Sequence, residues 1–201
     1  MNTPKRIFDL FVAISISVIL APFVLAITLM VLVLDGRPIF YVSERMRSRD
    51  EGFMLLKFRT MKPDPSDFGA SGGNKANRIT RSGRLLRRSR LDEIPQLWNV
   101  LKGDISFVGP RPPLRRYVEK HSDIYSAVLE SRPGVTGIAS VYFSGFEGRL
   151  LANCSTSDET ELLYSRICVP RKAKLDLIYQ KHQSICFDIW IMLLTVFKFL
   201  R

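Results

Sequence analysis

The sequence has few residues of the kinds that bind metals or form disulfides: three cysteines and two histidines in 201 residues. Three is an odd number, and Cys154, Cys168 and Cys186 do not have the close spacing of a metal site. His121 and His182 are too far apart in the sequence to suggest a ligand pair. We therefore interpret the cysteines as reduced thiols of a cytosol-facing chain and the histidines as structural or solvated side chains.

Acidic residues are also scarce relative to basic ones. The chain has 19 Asp and Glu against 30 Lys and Arg, a net charge of +11, although 46% of its residues are hydrophobic. A strongly basic chain typically meets nucleic acid, an anionic membrane surface or phosphorylated small molecules. The length favours one domain. Residues 63–77 are rich in Gly, Pro and Ser but lack the Gly-Lys-Ser/Thr ending of a P-loop, so we predict an ordinary loop there.

No charged residue occurs in residues 10–34, a run long enough for a helix to cross about 30 Å of hydrocarbon. It is too long for the apolar part of a signal peptide, so we expect the chain to retain it. Lys5 and Arg6 precede the run and several arginines follow it, which draws both ends to the cytoplasmic side. Pro22 removes a helical hydrogen bond near the middle. These features favour a spanning helix and a re-entrant helix about equally.

A second apolar segment, residues 189–197, is too short to span a membrane. Trp190 and the basic residues that follow the segment suit a helix at the headgroup boundary, and a core helix of the globular part is an equal alternative. Between the two apolar segments, residues 39–42 and 53–61 are predicted strands. Residues 114–129 alternate apolar and basic residues at helical spacing, which suits a helix on the bilayer surface.

The most informative stretch is residues 87–104, where arginines precede two adjacent carboxylates and an amphipathic helix. Pro95 suits the first turn of that helix, and Gly103 is placed to end it. Asp92 and Glu93 therefore lie at or near a helix N-terminus, where unpaired N–H groups favour anions. An isolated pair of this kind is usually a helix cap with surface ion pairs. The arginines add the alternative of a phosphate site with its metal.

Other cations have less decisive patterns. Lys57 and Arg59 share one face of a predicted strand, so they form either a solvated edge or an anion clamp, and their spacing does not decide between the two. Arg111 has a proline on each side, which restricts where its side chain can point.

Taken together, the motifs resemble those of a known family, the monotopic phosphoglycosyl transferases, or bacterial sugar transferases. The resemblance covers nearly the whole chain, at the length of the family's minimal members. It rests on six blocks in order: Lys5, Arg6 and Asp9 before the hydrophobic run, KFRTM at 57–61, LDEIPQL at 91–97, NVLKGD at 99–104, VGPRP at 108–112 and RPGVTG at 132–137.

The resemblance implies an α+β fold that is mostly helical. Residues 1–36 would form a re-entrant membrane helix broken at Pro22. Residues 37–201 would form a small cytosol-facing catalytic domain with amphipathic interfacial helices and a short β element. The implied location is the cytoplasmic face of a bacterial inner membrane, with membrane lipid as a partner, a homodimer as a possible assembly and no nucleic acid.

The implied reaction transfers a sugar 1-phosphate from a nucleotide-diphosphate sugar, usually a UDP-sugar, to polyprenyl phosphate, with Mg²⁺ as cofactor. Carried over from the family, Asp92 is the covalent nucleophile and Glu93 a metal ligand or polar partner, and both are candidate Mg²⁺ ligands. The implied substrate-binding residues are Lys57, Arg59, Arg87 and Arg111, which suit phosphate oxygens, and Asp188, which is expected to pair with the arginines.

Two alternatives stay open at this stage. One is a membrane-anchored basic protein that binds nucleic acid or anionic lipid without catalysis. The other keeps the enzyme and makes Asp92 a general base for direct transfer. The chain also departs from the family pattern after residue 137: Ser140 replaces a usual Gln, and the usual Arg is absent or displaced to Arg149. We therefore assign Arg149 no role and leave the sugar open.

Overall fold

A computed structural model of the chain describes residues 3–62, 78–154 and 156–200. The loop predicted at 63–77 lies outside them. The helices of the first half are α1 (Thr3–Asp35), α2 (Arg81–Arg88), a 3₁₀ turn (Leu91–Glu93), α3 (Gln96–Lys102), α4 (Arg115–Lys120) and α5 (Ser122–Val128). Those of the second half are α6 (Ile138–Tyr142), α7 (Ser144–Ala152), α8 (Ser157–Leu163), a π-helical turn (Tyr164–Cys168), α9 (Val169–Lys181) and α10 (Ile185–Leu200).

The strands form two small sheets, so the predicted mostly helical α+β fold is confirmed. β1 (Phe40–Met46) pairs antiparallel with β2 (Gly52–Phe58), from Phe40 opposite Phe58 to Met46 opposite Gly52. β3 (Ser106–Val108) pairs in parallel with β4 (Gly134–Thr136). The strands predicted at 39–42 and 53–61 are thus present with shifted ends. The helix predicted over 114–129 is divided at His121 into α4 and α5.

Helix α1 is 33 residues long and includes Pro22. The helix assignment continues through this proline, and the predicted break at Pro22 stays a prediction. Within the described part of the chain, α1 is the one helix long and apolar enough to cross a membrane by length and composition, and its most apolar window is only 11% buried. Large side chains such as Phe11, Val18 and Phe23 are exposed along it.

Both ends of α1 are attached to the globular part. Near the start, the Arg6 guanidinium donates to the carbonyl oxygens of Val100 (2.6 Å) and Leu101 (2.7 Å) in the last turn of α3. At the other end, Arg59 donates to the carbonyl oxygens of Asp35 (2.5 Å) and of the two residues that follow it. Cations favour the C-terminus of a helix, where carbonyl groups lack partners. Arg6 therefore attaches the start of α1 to α3, and Arg59 attaches the end of α1 to the segment that follows β2.

The main core lies between α1, α3, the β3–β4 sheet and α10. Ala13, Val100, Ile105, Val108 and Ile191 are fully buried in it. Helix α10 packs one side into this core and leaves large apolar side chains exposed on another: Ile189, Trp190, Leu193, Val196 and Phe197. All three cysteines are free thiols.

Asn99 joins α3 to the β1–β2 hairpin and is 1% exposed. Its amide oxygen accepts a hydrogen bond from the Leu56 N–H (3.0 Å). Its amide nitrogen donates to the Met54 carbonyl (2.8 Å) and to Asp104 (2.9 Å). A buried side chain that pairs three separate groups is costly to remove, because three hydrogen bonds are lost and one of the partners, Asp104, is itself buried.

We expect Asn99→Ala to destabilise the protein by about 3 kcal/mol, because three hydrogen bonds of about 1 kcal/mol each are lost. In a domain of this size, that loss lowers the melting temperature by roughly 6–12 °C. The measurement is thermal unfolding in detergent. Asn153→Ala is the matched control, because Asn153 is exposed at the end of α7. Equal melting temperatures for the two variants would contradict this account.

Candidate active site

The two adjacent carboxylates lie in the 3₁₀ turn that precedes α3. Arg90 opens this turn in the left-handed region, with φ 56°. A non-glycine residue in that region is uncommon, and it redirects the chain between α2 and the turn. Helix α3 then begins after Pro95 and ends at Gly103, whose φ is 87°. The predicted roles of Pro95 and Gly103 at the helix ends are confirmed, and the carboxylates lie just before the helix.

Glu93 forms a largely buried ion pair with Lys57 of β2. The Lys57 Nζ and Glu93 Oε1 atoms are 2.5 Å apart, and their side chains are 18% and 16% exposed. An Arg111 nitrogen is 3.9 Å from the same oxygen. Burial acts to raise the pKa of Glu93, but Lys57 and Arg111 outweigh it and hold the pKa below its usual value. Glu93 is therefore an ionised carboxylate held in place.

The pKa of Lys57 is lowered as well, but for an ammonium group this shift disfavours the charged form. Burial lowers the pKa of its ammonium group, and Glu93 only partly offsets that effect. Lys57 follows Phe53 and Leu55 in the alternation of β2, and both of those side chains are buried. This position explains why a lysine points inward from the strand, and it favours the anion clamp over the solvated edge as the environment of Lys57.

Asp92 differs from its neighbour because it has no ion-pair partner within the described ranges. It is 9% exposed, and its Oδ1 atom is buried without a hydrogen bond. Burial and the charge of Glu93 raise the pKa of Asp92, against the opposing effects of Lys57, Arg87 and Arg90. The site thus contains a buried carboxylate oxygen without a hydrogen bond to the described residues, close to several positively charged side chains.

The predicted phosphate-binding cations are only partly brought together. Lys57 and Arg111 lie at Glu93, and the Arg111 side chain is 50% exposed. Arg87 donates from Nε to the Thr60 hydroxyl (2.8 Å), and its charge acts on Asp92. Arg59 lies elsewhere: its guanidinium is buried on the carbonyl groups at the end of α1. Its observed contacts anchor the helix.

Asp188 contacts neither Asp92 nor Glu93, and its described partners are Lys5 and Tyr179. It is 1% exposed and pairs with Lys5 of α1, with 2.5 Å between Lys5 Nζ and Asp188 Oδ2. Its other oxygen accepts a hydrogen bond from the Tyr179 hydroxyl (2.6 Å). The prediction that Asp188 pairs with the arginines was wrong, because Lys5 is the cation that α1 brings to this part of α10.

The two carboxylates can be compared with the needs of Mg²⁺, which favours one or two carboxylates together with substrate phosphates. The Asp92 Oδ1 atom is buried without a hydrogen bond, as a metal ligand would be. Glu93 follows directly and is ionised. Across residues 3–62, 78–154 and 156–200, no cluster of three or more His, Cys, Asp or Glu side chains is placed to hold a metal. The residues present fit a site completed by phosphate.

A cavity of about 110 Å³ adjoins the two cations and was not predicted from the sequence. Lys57 and Arg111 line it, together with Arg45 of β1, Tyr125 of α5 and Asp176 of α9. Asp176 is four residues after Lys172, a spacing that places both on one side of α9. That spacing is typical of surface ion pairs, so the sequence offers no strong signal for a buried carboxyl group here.

The family comparison decides the class of protein. The family model described as bacterial sugar transferase matches residues 1–201. The chain belongs to the bacterial sugar transferase family. The predicted resemblance is confirmed.

Individual relatives support the same class of enzyme. The chain is 34% identical to EpsL of Bacillus subtilis, an uncharacterized sugar transferase, over 98% of this chain and 87% of EpsL. It is 34% identical to the UDP-glucose:undecaprenyl-phosphate glucose-1-phosphate transferase of Caulobacter vibrioides, over 96% of this chain and 68% of the relative. It is 36% identical to the undecaprenyl-phosphate glucose phosphotransferase of Komagataeibacter xylinus, over 96% of this chain but 35% of that protein. These names support a polyprenyl-phosphate phosphoglycosyl transferase.

The Lys57–Glu93 pair of this family member is expected to be strongly coupled. Lys57→Met leaves the Glu93 carboxylate buried with little compensation, which costs about 3–5 kcal/mol. Adding Glu93→Gln removes that charge, so the double variant should be about 2 kcal/mol more stable than Lys57→Met alone. Chemical denaturation in detergent measures both differences.

Lys102→Met provides the control for this cycle. Lys102 is 55% exposed and its Nζ atom lies 3.7 Å from Asp104, so solvent screens this contact and its loss should change stability by less than about 1 kcal/mol. A double variant as unstable as Lys57→Met alone would show that packing, and not charge, explains the loss.

Proposed function

We propose that this protein transfers a sugar 1-phosphate from a UDP-sugar to polyprenyl phosphate, giving a polyprenyl-diphosphate sugar and UMP. The observation that carries the proposal concerns Oδ1 of Asp92. Among the described residues this buried oxygen has no hydrogen-bond partner, and the charges of Lys57, Arg87 and Arg90 act on its carboxyl group. Cleavage of a diphosphate places negative charge on the phosphate oxygens, and fixed cations stabilise that charge. The relatives named as transferases of UDP-glucose and undecaprenyl phosphate support the donor and the acceptor.

The proposed chemistry has two steps at one carboxylate. A carboxylate oxygen of Asp92 attacks the β-phosphorus, and the bond to the bridging oxygen breaks as UMP leaves with the electron pair. An acyl phosphate then holds the phosphosugar on Asp92. In the second step an oxygen of polyprenyl phosphate attacks the same phosphorus, and the Asp92 carboxylate is released. Two steps allow a water-soluble donor and a lipid acceptor to use one site in turn.

The contacts favour Asp92 over Glu93 as the nucleophile. One oxygen of Glu93 is bound by Lys57, whereas Oδ1 of Asp92 has no hydrogen bond to any residue that the structure describes. Adjacent residues also project in different directions, so both cannot face one phosphorus equally. Glu93 is better suited to hold Lys57 and Arg111 where the phosphate oxygens arrive.

Asp92 and Glu93 are also the residues that we propose for Mg²⁺. The ion would neutralise charge on the diphosphate oxygens. The alternative of a basic binding protein without catalysis is not supported by the relatives, whose names are those of transferases.

A bend in α1 that returns the chain to the cytoplasmic face of the bacterial inner membrane is part of the proposal. A straight helix from Arg6 to Asp35 would be about 44 Å long. Arg6 binds carbonyl groups next to Asn99, and Asn99 binds Leu56. Leu56 is about 10 Å along the strand from Arg59, which binds Asp35. This chain of contacts joins the two ends of α1. It would be as long as a straight helix, about 44 Å, only if nearly all of its contacts pointed in one direction, which favours a bend over a straight span.

We expect Asp92→Asn to reduce UMP release from a UDP-sugar with polyprenyl phosphate and Mg²⁺ by at least about 10³-fold, because an amide is a poor nucleophile. Donor binding should be largely retained. Incubation of the unmodified protein with donor alone should add the mass of one phosphosugar, measured on the denatured protein, and Asp92→Asn should lack it.

Asp50→Asn is the control, since Asp50 is an exposed carboxylate of the β1–β2 turn. UMP release that persists in Asp92→Asn would rule out Asp92 as the nucleophile. Loss of UMP release with no trapped phosphosugar in the unmodified protein would favour the direct transfer, with Asp92 as general base.

Membrane topology gives an independent test. Single cysteines at Thr3 and Arg37, in a background with the three native cysteines replaced by serine, should both react with an impermeant thiol reagent from the cytoplasmic face only. Both ends of α1 are held by the same globular part, which is the physical reason. Reaction of the two positions from opposite faces would establish a spanning helix.

A further inference from the structure

The cavity beside the active site continues from the cations that face Glu93. Lys57 and Arg111 contact Glu93 and also line the cavity, so the two spaces share a wall. From there the cavity extends between β1, α5 and α9 to Asp176. A group attached to a phosphate held by Lys57 and Arg111 would therefore lie next to this cavity.

Asp176 is the unusual residue of this cavity. It is 8% exposed. Among the residues that the structure describes, its carboxyl group makes no hydrogen bond and no ion pair, although Lys172 acts on it at longer range. Burial raises the pKa of Asp176 to about 7. Leaving a carboxyl group buried without a partner costs free energy, which points to a ligand that supplies hydrogen bonds.

The walls around Asp176 combine aromatic rings with one further open polar group. Tyr117, Tyr125 and Tyr164 line the cavity. The Tyr117 hydroxyl donates to Glu161 (2.7 Å), and the Tyr164 hydroxyl accepts from Lys172 (3.3 Å). The Tyr125 hydroxyl has no hydrogen bond to any residue of the described ranges. Aromatic faces with a few convergent polar groups suit a compact ligand that has both apolar faces and hydroxyl groups.

We propose that this cavity holds the sugar of the donor and that Asp176 accepts hydrogen bonds from its hydroxyl groups. The inference rests on the proposed function, because it takes the transferred phosphorus to lie at Asp92 and the sugar to be attached to that phosphorus. When ionised, the Asp176 carboxyl group only accepts hydrogen bonds, and when protonated it also donates one; sugar hydroxyl groups suit both forms because they donate and accept. A sugar offers several hydroxyl donors, whereas uracil offers one N–H donor between two carbonyl oxygens that a carboxylate repels. The sugar is therefore the better occupant.

The test is a kinetic comparison of Asp176→Asn with the unmodified protein, by UMP release across a set of UDP-hexoses and UDP-N-acetylhexosamines. With the preferred donor, we expect KM to rise roughly 10- to 100-fold, the effect of a lost hydrogen bond to a charged group, while kcat changes much less. Inhibition by UMP, which carries no sugar, should be unchanged. A matching rise in the UMP inhibition constant would place the nucleotide in the cavity and overturn the proposal.

Two further variants keep the test decisive. Tyr125→Phe removes only the open hydroxyl and should raise KM for the same donor by several-fold if Asp176→Asn does not fold. Asp50→Asn, an exposed change outside the site, should leave KM unchanged. Unchanged KM for the donor in folded Asp176→Asn and in Tyr125→Phe would exclude a role of the cavity in sugar binding.

A binding measurement separates this inference from the proposed function. Glucose 1-phosphate and N-acetylglucosamine 1-phosphate are added to the full-length protein in detergent, and saturation-transfer NMR records contact with the sugar protons. We expect at least one of them to bind, and Asp176→Asn to remove the signal, whether or not UMP is released in the activity assay. Absence of binding by both probes would overturn the inference alone.

Discussion

The buried pair of Lys57 and Glu93 is the interaction on which the site depends. It joins β2 to the 3₁₀ turn before α3, two segments that are distant in the sequence. A buried ion pair is weak as a source of stability, because desolvation offsets much of the attraction. Its value here is positional. It engages Glu93, leaves the neighbouring Asp92 without an ion-pair partner among the described residues and fixes a cation at the place where phosphate oxygens would gather.

Local sequence patterns predicted the parts of this site that depend on neighbours along the chain. The left-handed Gly103 ends α3 as expected, and the carboxylates lie just before that helix. What sequence could not provide was long-range pairing. Arg59 has the residue type of a phosphate ligand, yet it is buried on the end of α1, and Asp188 meets a lysine from the opposite end of the chain. The environment of Asp176 also arises only when α5 and α9 come together.

The structure uses guanidinium groups in two different ways. Arg6 and Arg59 satisfy carbonyl groups at helix ends, where five donors on one side chain can serve several acceptors. Arg45 and Arg111, in contrast, line the cavity next to the carboxylates, and Arg111 lies 3.9 Å from Glu93. Arginine therefore attaches helices to the globular part in one place and forms a site for anions in another. Only the partners of each arginine distinguish the two uses. This explains why a net charge of +11 indicates that the chain binds an anionic partner but does not reveal which arginines bind it.

Arg59 and Lys57 are two residues apart on one extended segment, and this proximity has a geometric consequence. Arg59 holds the last turn of the apolar helix, and Lys57 holds the turn that contains Asp92 and Glu93. If α1 lies in lipid and Asp92 reacts as proposed, the depth of α1 sets the height of Asp92 above the hydrocarbon. The phosphate of a lipid acceptor lies at a fixed depth in the headgroup layer, and the position of α1 would place Asp92 at the same depth. The helix would then determine the height of the reaction centre as well as attach the protein to the membrane.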